Sequence, residues 1–121
     1  MKEKIDETRP IYLQIKEYII DSILNDSIQA GERAPSTNEM AKFYQINPAT
    51  ARQGMNELVI EGVLRKQRGV GMFVTEDAKE ILIHHRKEQF YRNYIIPLKN
   101  EARKLQISES QLMDLLQKEE E

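Results

Sequence analysis

Two helix-start signals in close succession constrain this chain more than any other feature: Ser36-Thr37-Asn38-Glu39 and Asn47-Pro48. In the first, the serine hydroxyl accepts from the glutamate N–H while the glutamate carboxylate accepts from the serine N–H, a capping box. In the second, an asparagine N-cap precedes proline at the first helical position, where the missing N–H would have had no helical partner anyway. Met40, Ala41, Phe43 and Tyr44 follow the first signal, so a short helix runs to about Tyr44 and leaves Gln45-Ile46 as a tight link. After the second, Ala51, Met55, Leu58 and Val59 share a helical face, while Thr50, Arg52, Gln53 and Asn56 point elsewhere and Gly62 provides a stop. Two short helices joined by about three residues form a helix-turn-helix.

The flanking segments extend this unit. Ile11, Ile15, Ile19 and Ile23 recur every four residues and predict an upstream helix with one buried stripe, with Pro10 suited to its first turn. Gly31 lies in a turn over 27–34. Beyond Gly62, Val63–Gln67 and Met72–Thr75 are β-prone and separated by Arg68-Gly69-Val70-Gly71, which predicts a hairpin with Phe73 anchoring its returning strand in the core. Gly54 interrupts the third helix at an intrinsic cost of about 1 kcal/mol relative to alanine, and close packing against another helix is the expected reason. The expected fold class is mainly α with α+β character. An N-terminal winged helix-turn-helix covers residues 1–75, and a C-terminal helical dimerisation extension covers 76–121.

The extension is rich in helix formers and contains no glycine. Pro97 removes the donor that would bond the Asn93 carbonyl, so a kink or break is expected near Ile96. Ser108-Glu109-Ser110-Gln111 is a second capping box, opening a last helix expected to bury Leu112, Leu115 and Leu116. Ile83, Phe90, Tyr94, Leu98, Leu112 and Leu116 offer more apolar surface than a short extension can hide within itself, so they are expected to form a homodimer interface.

Composition removes other classes. A chain of 121 residues holds one small core and an appendage. The absence of cysteine excludes disulfides, thiolate catalysis and cysteine-ligated metals. No apolar run approaches the roughly 18 residues of a membrane span, and the charged N-terminus lacks a secretory pattern, so no membrane partner and a cytoplasmic location are expected. His84 and His85 are helical neighbours pointing about 100° apart, which does not suit joint chelation, so no metal or other cofactor is expected. No nucleophile and base pair stands out, so an enzyme is not expected. The net charge of −2 hides a basic middle: from Arg33 to Gly71, six basic residues against three acidic ones leave +3.

Helix, helix-turn-helix and hairpin in this order make a winged helix, whose second paired helix can enter a DNA major groove while the hairpin touches the adjacent backbone or minor groove. The start of that helix carries a partial positive charge and is expected to hold free backbone donors near Pro48 to Thr50 for a phosphate. Arg52 and Gln53 can reach phosphates or base edges, unless Arg52 pairs with an acidic neighbour. Gln53 and Asn56 read equally well as solvated helix residues. Tyr12, Phe43 and Tyr44 are expected to fill or border the core.

Particular segments also carry a family resemblance: Pro10-Ile11-Tyr12 with Gln14-Ile15, Gly31 to Ser36 with Glu39-Met40-Ala41, Thr50-Ala51-Arg52, Glu57-Leu58, Glu61-Gly62, and Arg68 to Val74. Together they resemble the GntR family of bacterial transcription regulators over residues 10 to 75. Asn47-Pro48-Ala49-Thr50 and Leu105-Gln106-Ile107-Ser108 are similar to its YtrA subfamily, whose members carry a two-helix dimerisation segment instead of a large ligand-binding domain. The resemblance implies double-stranded DNA as partner, with Arg33, Ser36, Thr50, Arg52, Arg68 and Gly69 approaching it. Thr37, Asn38, Pro48, Ala49 and Gln53 complete the expected DNA-binding set. Asn38 and Pro48 stand where arginines are frequent in the family, which removes potential phosphate or guanine contacts. The expected function is a homodimeric repressor on an inverted-repeat operator. A small-molecule effector pocket at the tail helices, lined by Phe90, Tyr91 and Tyr94, and a winged helix that binds only protein are the competing readings.

Overall fold

The structure, a computed structural model, describes residues 5–120. The chain divides into two compact units between Ile83 and His84.

The first unit opens with α1 (Ile11–Leu24), which buries Ile15, Ile19 and Ile23 along its stripe. Pro10 is its N-cap, one position before the first turn. In α2 (Thr37–Tyr44) both halves of the capping box form: the Glu39 N–H donates to Ser36 Oγ at 3.0 Å, and the Ser36 N–H donates to Glu39 Oε1 at 2.7 Å. Gln45 then turns the chain in the left-handed region at φ 55°. In α3 (Pro48–Ile60), Asn47 caps the start by accepting from the Ala49 N–H at 2.8 Å. Gly62 at φ +84° ends it, with the Gly62 N–H donating to the Val59 carbonyl and the Val63 N–H reaching back to the Leu58 carbonyl. That pair of bonds is a Schellman closure, and it turns the chain directly into the hairpin.

The hairpin pairs β1 (Leu64–Gln67) antiparallel with β2 (Gly71–Val74) in the register Leu64↔Val74, Arg65↔Phe73. A further segment joins it. The Ala34 N–H donates to the Met72 carbonyl, the Val74 N–H to the Glu32 carbonyl and the Gly31 N–H to the Val74 carbonyl, with a β-bridge between Arg33 and Phe73. The connection after α1 therefore covers the free edge of β2. Met72 and Val74 face the core, and Phe73 lies on the other face with the Arg65 guanidinium 4.9 Å from its ring centre. This corrects the core position expected of Phe73, because strand alternation lets Met72 and Val74, or Phe73, face inward, but not all three. Phe43 differs too: it is 48% exposed, while Tyr44 packs against the core.

The approach of α3 to α1 sets the geometry of this unit. A Cβ added at Gly54 would lie 2.6 Å from the Tyr12 carbonyl oxygen and 3.3 Å from Ile15 Cβ. Beside this contact, Lys16 of α1 donates to Glu57 at 3.1 Å and to Glu61 at 2.6 Å on α3. Burial disfavours the Lys16 charge, but the hydrogen bonds and charges of Glu61 and Glu57 outweigh it and raise its pKa above the ordinary lysine value. Ala78 and Leu82, from the start of α4 (Ala78–Phe90), complete the core.

In the second unit a π-helical turn, Tyr91–Ile95, leads into α5 (Ile96–Lys104), with Pro97 in the first turn of α5. The break expected at the proline takes the form of this wider turn. The Ile96 N–H bonds the Tyr91 carbonyl five residues back, one residue ahead of the proline that donates nothing. In α6 (Glu109–Gln117) the capping box at Ser108 forms in both directions. Leu115 and Leu116 are exposed and Leu112 is half-buried, contrary to the burial expected of them. Among the described residues of this unit only Ala102 is buried, so the leucines have no core of their own to enter. No helix among the described residues is long and apolar enough to cross a membrane.

Gly54→Ala is expected to destabilise the protein by about 1–2 kcal/mol in denaturant unfolding, the overpacking outweighing the gain in helix propensity. A gain in stability would show that α1 and α3 are not held at this distance. The raised Lys16 pKa gives a contribution that is fully present below the unfolded lysine pKa of about 10.4 and fades as pH rises through the folded value. The stability gap between wild type and Lys16→Met, expected to be about 1–2 kcal/mol at neutral pH, should therefore shrink above about pH 10. A gap independent of pH across that range would contradict this.

Candidate nucleic-acid interface

One concave surface of about 350 Å³ gathers residues from three elements. The approach to α2 and its first turn supply Arg33, Ser36, Thr37 and Asn38; α3 supplies Arg52 and Asn56; the hairpin supplies Lys66, Gln67 and Gly69 to Met72. Of the residues singled out in the sequence, Arg33, Ser36, Thr37, Asn38, Arg52 and Gly69 meet here. Pro48, Ala49 and Gln53 are exposed on α3, and Arg68 is exposed at the hairpin tip, all outside the lining; Thr50 is half-buried.

The pairing between residues 31–34 and β2 lays Arg33 across the hairpin. A Cβ at Gly71, whose φ is +145°, would lie 2.8 Å from Arg33 Nε. Glycine at 71 thus leaves room for the guanidinium as well as the backbone angle. The hairpin turn closes with the Val70 N–H donating to the Gln67 carbonyl, and Gly69 takes φ +77°. That angle is the one a glycine supplies at the third position of a tight turn.

Charge is distributed by partnership. Glu57 and Glu61 are bound to Lys16 of α1, and Glu39 is folded onto Ser36. The Ser36 backbone N–H first, then the Ser36 side chain and the Arg33 charge, hold the Glu39 carboxyl below the usual carboxylate range. All three acidic groups of the basic middle segment are thus engaged. Among the described residues Arg52, Lys66 and Arg68 form no ion pair, so the intramolecular pair considered for Arg52 is not what the structure contains.

The donors expected at the start of α3 are not free. Pro48 has none, the Ala49 N–H goes to the Asn47 side chain, and the Thr50 and Ala51 N–H groups go to the Asn47 carbonyl at 3.0 and 3.2 Å. At the start of α2, Ser36 engages the Glu39 and Met40 N–H groups, and among the described residues no hydrogen bond is formed by the N–H of Thr37 or Asn38. The open helix N-terminus of this surface is that of α2. Sequence reasoning also missed the contribution of Lys66 and Gln67 and the stacking of Arg65 on Phe73. These depend on strand register, which spacing alone does not determine.

In the tail, Ile83, Phe90, Tyr94, Leu98 and Leu116 of the expected interface set are exposed, Tyr94 at 66% and Leu116 at 70%, and Leu112 is half-buried. Phe90 and Tyr94 touch at a ring separation of 5.7 Å. Tyr91, Leu105, Met113 and Leu115 are further exposed apolar groups of the second unit.

The first unit is a winged helix-turn-helix, with the hairpin as its wing. The family model of bacterial regulatory proteins, gntR family, matches residues 11–74. The HTH-type transcriptional repressor YtrA of Bacillus subtilis is 34% identical over 74 residues, 61% of this chain and 57% of that one. A solved GntR family transcriptional regulator from Listeria monocytogenes matches at a TM-score of 0.76 and 31% identity, over 95% of this chain and 99% of that chain. AraR(DBD), solved in complex with operator ORR3, matches at a TM-score of 0.51 and 31% identity, over 53% of this chain and 77% of that chain. The chain belongs to the gntR family of bacterial regulatory proteins. Its class is that of transcriptional regulators, not enzymes. It spans less than two thirds of the length of several curated relatives that it matches, YtrA among them.

Proposed function

We propose that this protein is a cytoplasmic, homodimeric transcriptional repressor that binds an inverted-repeat operator. The observation that carries the reading is the concave surface on which α2, α3 and the wing bring Arg33, Arg52 and Lys66 together, while Glu57 and Glu61 are bound to Lys16 of α1 and Glu39 to Ser36. The operator complex of the related AraR(DBD) supports it. Residues 1–75 bind DNA and residues 76–121 pair the chains.

On this reading Arg52 reaches base edges in the major groove, with Gln53 beside it. Pro48, Ala49 and Thr50 pack the start of α3 against the groove wall. The α2 N-terminus takes a phosphate through the Thr37 and Asn38 N–H groups beside Ser36 and Arg33, because those donors are open and the ones of α3 are spent. Arg68 and Gly69 carry the wing tip to the adjacent backbone or minor groove. Ile83, Phe90, Tyr94, Leu98, Leu112 and Leu116 form the dimer contact, which presents two recognition helices about 34 Å apart to successive major grooves.

A second reading, a small-molecule effector site in the tail, has one observation in its favour. An open cavity of about 610 Å³ lies along α6, lined by Ile107, Gln111, Asp114, Leu115, Gln117 and Lys118. Phe90, Tyr91 and Tyr94 are not among its lining residues. Thermal stabilisation by candidate ligands, lost on Asp114→Ala, is the measurement that would favour this reading.

Arg52→Ala is expected to lower operator affinity by roughly ten- to a hundred-fold at fixed salt, with the protein folded and dimeric. Unchanged affinity would remove Arg52 from the contact. The wild-type protein should lose affinity steeply as salt rises, because phosphate contacts release counterions. A salt-independent response would favour a winged helix that binds only protein. The double variant Tyr94→Asp, Leu116→Asp is expected to sediment as a folded monomer with strongly weakened operator binding. A dimer that survives it would place the interface elsewhere.

A further inference from the structure

Resting on the DNA-binding reading above, the geometry points to Asn56 as a specificity-determining residue, reading an adenine within about two base pairs of the base read by Arg52. The first turn of α3 offers little to read with. Pro48 and Ala49 carry no side-chain donor or acceptor, and Thr50 is half-buried. Arg52, Gln53 and Asn56 are the exposed polar residues on the following turns of α3 whose neutral or basic side chains suit a DNA partner, and the concave surface gathers Arg52 and Asn56 but not Gln53. Among the described residues the Asn56 amide has no hydrogen-bond partner, so both its donor and its acceptor are open.

Those two groups match adenine, whose major-groove edge presents one donor and one acceptor, as the arginine fork matches guanine. Arg52 and Asn56 stand one turn apart, so their Cα atoms are separated by about 6 Å along the helix, roughly two base-pair steps of about 3.4 Å each. Each half-site should therefore carry a guanine read by Arg52 and an adenine read by Asn56 within about two base pairs of it. Lys66 and Gln67, on the far wall of the same surface, hold the backbone flanking that pair.

The test is selection of bound sequences from a random duplex pool with the full-length wild type, Asn56→Ala and Asn56→Asp, each checked for folding by circular dichroism. The wild type is expected to select a symmetric consensus with the guanine and adenine so spaced. Asn56→Ala should lose the preference for adenine, roughly ten- to a hundred-fold, at that one symmetric position while the other positions keep theirs. Asn56→Asp, left with acceptors only, should shift the position towards cytosine. An unchanged consensus in both variants, or an equal loss of affinity for every sequence, overturns the role of Asn56 and leaves DNA binding intact. A wild type that selects no consensus overturns the DNA-binding reading and this inference with it.

Discussion

The approach of α3 to α1 at Gly54 is the contact on which the rest of the first unit depends. With the Tyr12 carbonyl where a Cβ would have to go, the two helices meet backbone to backbone, and Ile15, Ile19, Met55 and Leu58 share the core around that contact. That closeness fixes the rotation of α3 about its own axis. Ala51, Gly54, Met55 and Leu58 then face inward, and Arg52, Gln53 and Asn56 face out. The Lys16 bridge to Glu57 and Glu61 reinforces the same contact, holds both carboxylates to α1 and offsets one of their two negative charges. One packing decision thus determines both the orientation of α3 and its electrostatics.

The wing is tied to the same frame by a different route. Gly62 closes α3 and delivers the chain into β1 with Val63 and Leu64 already buried. The segment before α2 returns to pair with β2, so the start of α2 and the wing belong to one hydrogen-bonded arrangement. Arg33 occupies that joint. Its position over Gly71 explains why a concave surface exists between two elements that are distant in sequence.

Local signals in the sequence were strong because their causes are local. The boxes at Ser36 and Ser108, the Asn47-Pro48 start, the Gly62 stop and the isoleucine stripe of α1 each depend on neighbours within a few residues. The pairing of residues 31–34 with β2 and the inward phase of β2 depend on long-range contacts, which no spacing reveals. Phe73 faces away from the core, and its alternation with Met72 and Val74 carries that phase in the sequence. At α3 the sequence indicated a helix start but not that Asn47 would consume its donors, which moves the open N-terminus to α2. The α6 leucines are spaced as for burial, yet Leu115 and Leu116 are exposed and Leu112 is half-buried.

Arg33, Ser36, Thr37, Asn38, Arg52 and Gly69, candidates by charge, helix-turn-helix spacing and family resemblance, line the concave surface. Their grouping, with Asn56, Lys66 and Gln67 included and Gln53 excluded, required the register of the wing. The central claim is that DNA enters the concavity shared by α2, α3 and the wing. Amide hydrogen exchange of the full-length protein, with and without duplex operator, tests it most directly. Protection is expected over residues 33–38, 49–56 and 66–72. Protection confined to the tail, or none at all, would contradict the account.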